Sequence, residues 1–211
     1  MADIVIQGAF GPVNFTPAVE KPTLTAVDIE SLDEYLDANG MTLPDAYRQF
    51  LLTNNGGKVS PNGFAYRYDA AGKELLAQVL DPEDEILTES GNTLRYFHGF
   101  GPGPITNLID FQSRVIDWGR PGLFGIASAS YGDVVVLDLA PGPDVGSVHY
   151  LTLQGVAPLV EEGEQVPLGF IAPNFQAFQT GFFDFDEVMA ASQSERLQDF
   201  LDKTLRPNQQ N

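Results

Sequence analysis

The side chains able to carry chemistry are few. His98 and His149 are the only imidazoles, and cysteine is absent. Without a thiolate there is no Cys nucleophile, disulfide, zinc–thiolate site or iron–sulfur cluster. The histidines lie far apart, and neither has an Asp or Glu at ligand spacing. A metal needs three or four convergent ligands, so none is expected. His149 falls inside an alternating strand pattern and reads as structural. His98 borders a Gly/Pro connector, is expected to be the more exposed, and is the candidate acid/base of a hydrolase reading. Ser128-Ala129-Ser130-Tyr131-Gly132 lacks the first glycine of a nucleophile elbow and precedes a strand, where the elbow needs a helix. Gly99, Gly101 and Gly103 have the look of a dinucleotide loop, but Pro104 stands where the third glycine belongs. Pro102 and Pro104 also remove N–H groups that a phosphate would use. No Walker-type Gly-Lys-Ser/Thr sequence occurs. Acidic groups are plentiful at 81–85, 161–164 and 184–187, but none follows a calcium-loop pattern. The expectation is no catalytic residue and no cofactor.

The elements that position these groups follow from spacing. Residues 1–24, punctuated by Gly8, Gly11, Pro12, Pro17 and Pro22, read as an irregular arm. A helix follows, with Thr25 or Asp28 as N-cap, Ile29, Leu32, Tyr35 and Leu36 as its apolar stripe, and Gly40 as its left-handed stop. A second helix begins at Pro44, buries Tyr47, Phe50 and Leu51, and exits through Asn55-Gly56-Gly57. Phe64–Tyr68 and Leu94–Phe97 read as short strands, and Lys73–Ile86 is ambiguous. A third helix spans about 107–118. Leu123–Ala127, the β-branched run Val134–Leu137 and the alternating Val148–Leu153 are strands, the last two joined by a Gly/Pro loop. Asn174 caps a short helix carrying Phe175, Phe178 and Phe182, and Val188–Leu205 reads as a last amphipathic helix. Helices bracketing hairpin-connected strands predict an α+β fold: an antiparallel sheet of short strands flanked by N-terminal and C-terminal helices.

Composition narrows the function. The chain has 211 residues, 29 acidic against 11 basic side chains, and a net charge of −18. With 43% hydrophobic residues it can bury a real core. The charge repels phosphate backbones and attracts basic partners. No signal peptide or membrane span is visible, and the absence of cysteine suits a reducing compartment, so a cytoplasmic location is expected.

Three segments together resemble the SUKH superfamily, in particular its Smi/Knr branch. The first is Ile29–Leu36, then Leu43-Pro44 opening an aromatic helix that ends in Asn55-Gly56-Gly57. The second is Phe124–Ala127, Gly132-Asp133, Val134–Asp138, and Gly146-Ser147-Val148-His149-Tyr150. The third is Asn174–Phe178. The resemblance covers about 28–183 and implies an α+β domain without catalysis. It divides the chain into an arm (1–24), a SUKH-like domain (25–183) and a helical extension packed on it (184–211). Pro44, Gly56, Gly57, Gly132, Asp133 and Gly146 are its motif residues, and their own physical reading is structural: a helix start, a helix exit, turns, and a side chain accepting bonds from turn N–H groups.

Bacterial members resemble immunity proteins that neutralise a cognate toxin, and fungal members resemble cell-wall-assembly regulators. The expected function is therefore an immunity-type protein binding a basic, nuclease-type toxin through Asp81, Glu83, Asp84 and Glu85, or through Glu161, Glu162 and Glu164. A regulatory scaffold is the alternative, and a small hydrolase using His98 the second. Phe182, Phe183 and Phe185 lie close enough to form either core or a contact patch, with core expected.

Overall fold

The computed structural model describes residues 4–17, 24–79, 89–101, 107–116, 121–152 and 166–191. The fold is α+β. Strands β1 (Ile4–Gly8), β2 (Gly11–Thr16) and β3 (Lys58–Ser60) form one antiparallel sheet in that order. Strands β4 (Gly63–Tyr68), β5 (Glu89–Phe97), β6 (Leu123–Ala129), β7 (Val134–Asp138), β8 (Val148–Leu151) and β9 (Leu168–Ala172) form a closed antiparallel barrel, with β9 returning to pair with β4. The sheet expected from the sequence is thus antiparallel and flanked by helices, and it has no open edge.

The N-terminal segment corrects the expectation of an irregular arm. Residues 4–16 form a hairpin, with Ile4 opposite Phe15 and Gly8 opposite Gly11 across a two-residue turn. Glycine and proline here terminate and edge strands rather than abolish them, because Pro12 sits where no ladder N–H is needed. Val13 and Phe15 are buried.

Helices α1 (Ala26–Ala38) and α2 (Asp45–Asn54) pack beside the barrel. Thr25 is the N-cap and Asp28 its reciprocal partner in a capping box: Thr25 Oγ1 accepts from Asp28 N at 3.3 Å, and Asp28 Oδ2 accepts from Thr25 N at 2.7 Å. Pro44, expected as the first helical residue, is the cap before it, with ψ 138°. Its carbonyl accepts from Tyr47 and Arg48 N–H groups at 3.0 Å. Of the ambiguous stretch Lys73–Ile86, residues 73–79 lie in helix α3 (Ala70–Val79), begun by Asp69, whose Oδ1 accepts from Gly72 N at 2.7 Å, and residues 80–86 lie outside the described residues. Helix α4 (Leu108–Ile116) lies on β6. Asn174 caps α5 (Phe175–Thr180), and α6 (Phe185–Ala191) begins three residues before the expected Val188, capped by Asp184, whose Oδ1 accepts from Glu187 N at 3.0 Å. The remainder of the expected last helix lies outside the described residues.

The core is aromatic. The Phe97 ring lies 4.8–6.3 Å from those of Phe15, Phe50, Phe175, Phe178 and Phe182. Tilted and edge-on pairs at such distances contribute beyond their area. Strand β7 is buried along its whole length, as its β-branched run requires. Its inward residues Val135 and Leu137 join the aromatic core, while Val134 and Val136 meet Phe111 and Val115 of α4.

Helix α4 is fastened by Gln112, which is buried. Its Nε2 donates to Gly125 O at 2.9 Å, and its Oε1 accepts from Gly125 N at 2.8 Å. The side chain thereby completes β6 where the ladder to β7 shifts register. Replacing Gln112 by Leu keeps the volume and strands both backbone groups. Urea unfolding should show a loss of about 1–3 kcal/mol; an unchanged midpoint would mean those groups find other partners.

Candidate functional site

His149 lies within strand β8 as expected, whereas His98 does not stand where it was expected. His98 is 1% exposed. Its ring stacks on Phe111 at 3.5 Å, and its Nε2 lies 2.9 Å from Ser128 Oγ. This Ser–His contact is interior, which corrects the expectation of an exposed His98 available to substrate. His149 is half-buried on the outer face of β8, with Nε2 2.7 Å from Ser147 Oγ and its ring edge-on to Phe170. Together with Arg67, Asp69, Asp138 and Asp144 it lines an open cavity of about 500 Å³ over β4, β8 and β9. The Arg67 guanidinium lies over the Phe170 ring at 5.5 Å. Among the described residues, no three His, Asp or Glu side chains gather as metal ligands.

Inside the barrel, Asp133 is buried and accepts from the Tyr150 hydroxyl, to which Asn92 Nδ2 donates at 2.7 Å. Tyr150 stacks on Tyr66 at 4.2 Å. Asp133 was expected to accept from the N–H groups of its turn; in the structure its carboxylate holds a barrel tyrosine. Alternation places Tyr150 on one face of its strand with Val148, but its partner could not be read from spacing. Burial and the Asp133 charge push the Tyr150 hydroxyl well above the ordinary tyrosine value. Burial does the same to Tyr47 and Tyr68.

The motif glycines occupy turns. Asn55, Gly56 and Gly57 all have positive φ, at 47°, 79° and 115°. The turn clasps the end of β5: Gly57 and Phe97 exchange backbone bonds at 2.7 and 3.0 Å. Asn55 Oδ1 accepts from Phe100 N at 2.7 Å, and Asn55 Nδ2 donates to Phe100 O at 3.0 Å. A side chain on Gly56 would strike Phe97 O, and one on Gly99 would strike Asn55 O. Gly132 (φ 84°) and Gly146 (φ 87°) turn the chain into β7 and β8. Beside Gly132 stands Tyr131, 77% exposed and itself left-handed at φ 63°. Nothing in its sequence context marked it.

The acidic groups proposed as contacts, Asp81, Glu83, Asp84, Glu85, Glu161, Glu162 and Glu164, lie outside the described residues. The described strands that flank them share one barrel end: β5 starts, β8 ends and β9 starts there, beside the Tyr131 turn. A described acidic surface went unread: exposed Glu30, Glu34 and Asp37 recur along α1, with exposed Asp45 on α2. The only base on these two helices, Arg48, is held bidentately by Asp33 at 2.8 and 3.0 Å. That hydrogen bonding lowers the Asp33 carboxyl below its usual range. Phe182 and Phe183 are core, and Phe185 is half-buried against Phe183 and Ala65. Among the described residues no helix is long and apolar enough to cross a membrane.

These features define an α+β domain whose His98–Ser128 contact and tyrosine–carboxylate network lie within the core, and whose described outer faces carry exposed carboxylates. The chain belongs to the SMI1 / KNR4 family (SUKH-1), whose family model matches residues 23–180. It is a protein of toxin-immunity or cell-wall-regulator type. A comparison with curated protein sequences returns no match. The match starts after the β1–β2 hairpin.

The buried tyrosines give the fold an alkaline limit. Their folded values lie above the unfolded value near 10.0. The stability they carry is complete below that pH and falls as pH rises past it, because the unfolded chain ionises first. In an alkaline titration the tyrosinate absorbance of Tyr47, Tyr68 and Tyr150 should appear together with loss of circular dichroism. Full tyrosinate formation in a chain that stays folded would contradict this.

Proposed function

We propose that this chain is a non-enzymatic immunity protein that binds a cognate toxin with a basic, nuclease-type surface and neutralises it. Family membership supplies the class, and the charge of −18 is the observation that selects this partner chemistry. A nuclease is basic where it grips phosphate, and an acidic protein covers that surface and is steered to it. Supporting the reading, the described strands flanking both acidic segments meet at one barrel end, and the α1–α2 face adds further exposed carboxylates. Asp81, Glu83, Asp84, Glu85, Glu161, Glu162 and Glu164 are the proposed contacts. A cytoplasmic location goes with this role.

Capture from native lysate with the tagged chain should retain one basic protein at low salt and release it at high salt. The released protein should be a nuclease that stoichiometric addition of the chain silences. Acidic or neutral partners held through high salt would favour a regulatory scaffold instead. Converting the seven carboxylates to amides should slow association about tenfold or more and flatten its salt dependence, with little change in dissociation. An unchanged association rate would remove these residues from the interface.

A further inference from the structure

Strand β1 has one partner. It pairs with β2 on one side, and among the described residues no strand lies on its other side. The direction of its free backbone groups follows from the register. Pro12 has no N–H and stands opposite Gln7, so Gln7–Pro12 is a non-hydrogen-bonded pair. Gly8–Gly11, Ile6–Val13 and Ile4–Phe15 are then the bonded pairs, and Val5–Asn14 is not. The β3 side agrees, since Asn14 and Thr16 face Ser60 and Lys58. The N–H and C=O groups of Val5 and Gln7 therefore point out of the sheet.

Proteins usually guard such an edge with charge, proline or a bulge. Among the described residues that guard is missing. Residues 4–16 contain no charged side chain, in a chain of net charge −18. The β1–β2 ladder is regular from end to end, and the Val5 side chain is 58% exposed. The hairpin is held in place by Ala9 N donating to Thr180 O at 2.8 Å and by buried Val13 and Phe15, so the edge is presented on a fixed base.

We propose that β1 is a self-association edge: two copies pair β1 to β1 antiparallel about a twofold axis at Ile6, joining two three-stranded sheets into one of six. Val5 of each copy then lies opposite Gln7 of the other. The two residues exchange both backbone bonds, four in all, and Ile6 faces Ile6 as the central non-bonded pair. Charge selects a second copy as the occupant. A basic partner gains nothing from a neutral edge when carboxylates lie elsewhere. A second acidic copy can approach a neutral edge without setting carboxylate against carboxylate. An edge this short buries far less than the ~1,200 Å² of a standard interface, so the dissociation constant should be on the order of 100 µM. The proposal stands apart from the toxin reading, and salt separates the two. Screening weakens capture of a basic partner but strengthens contact between two like-charged copies.

Sedimentation of the full chain from about 10 µM to about 1 mM, at low and high salt, should show a monomer–dimer equilibrium that tightens about threefold or more with salt. Val5→Lys places charge on the edge, and Gln7→Pro removes an outward donor that β2 does not use. Each should abolish the dimer while the unfolding temperature of the monomer holds. Amide exchange supplies a second readout: Val5 and Gln7 should become protected as concentration rises, while Ile6, bonded within the hairpin, should not change. A monomer throughout this range, a dimer that survives both substitutions, or a dimer that leaves Val5 and Gln7 exchange unaltered would each overturn the proposal.

Discussion

Phe97 is where the parts of this fold are joined. Its backbone pairs with Gly57, so the exit of α2 and the start of β3 are fixed to the end of β5. Its ring lies among five other phenylalanines drawn from β2, α2, α5 and the residues after α5. The close approach demands Gly56 and Gly99, where any side chain would meet backbone. It also demands Asn55, whose amide bonds both backbone groups of Phe100. The Asn-Gly-Gly motif is therefore a clasp between helix pair and barrel. Residues 4–17 lie ahead of the family match in the chain, yet Phe15 reaches the same ring.

Closure of the barrel decides where function can reside. Six short strands enclose a narrow interior, and Phe64, Phe124, Ile126, Val135, Leu137, Val148 and Tyr150 are all buried in the core. The polar groups admitted there are bonded to one another: Tyr150 to Asp133, with Asn92 donating to the same hydroxyl. A buried carboxylate would be costly without such donors. The interior is thus committed to stability, and recognition is left to the outer faces, loops and edges. This agrees with the placement of Tyr131, the Arg67–Phe170 pair and the α1 acidic stripe outside.

Much of this was legible because local signals and tertiary packing agreed. Thr25, Asn55 and Asn174 announced helix ends by chemistry that acts over a few residues. The run Val134–Leu137 announced burial on both faces. Strands β1, β2, β3 and β9 went unread, and in β1, β2 and β9 the local signals conflicted. In β1–β2, glycines and prolines outweighed the Ile4-Val5-Ile6 run, although Gly8 and Gly11 bracket a two-residue turn. In β9, five residues between Pro167 and Pro173 are too few to show a period, and only pairing with both β4 and β8 makes them a strand. His98 was misplaced for another reason. A Gly/Pro connector suggests solvent, but Gly99 exchanges backbone contacts with Asn107 and Asn55 packs on it, which draws the preceding histidine inward. Such long-range contacts have no local signature.

The charge distribution carries the last step. A net charge of −18 spread evenly would only keep the chain soluble. It is not even: residues 4–16 carry no charge, whereas α1 and α2 expose Glu30, Glu34, Asp37 and Asp45 while their single Arg48 is consumed by Asp33. Like charge on one face and none on another gives one molecule two kinds of surface with opposite responses to ionic strength. Attraction between carboxylates and a basic body acts at long range, and salt removes it. The neutral edge depends on short-range hydrogen bonds, which salt unmasks by damping repulsion between the bodies behind it. The two need not compete for space, since the hairpin edge and the acidic face belong to different elements.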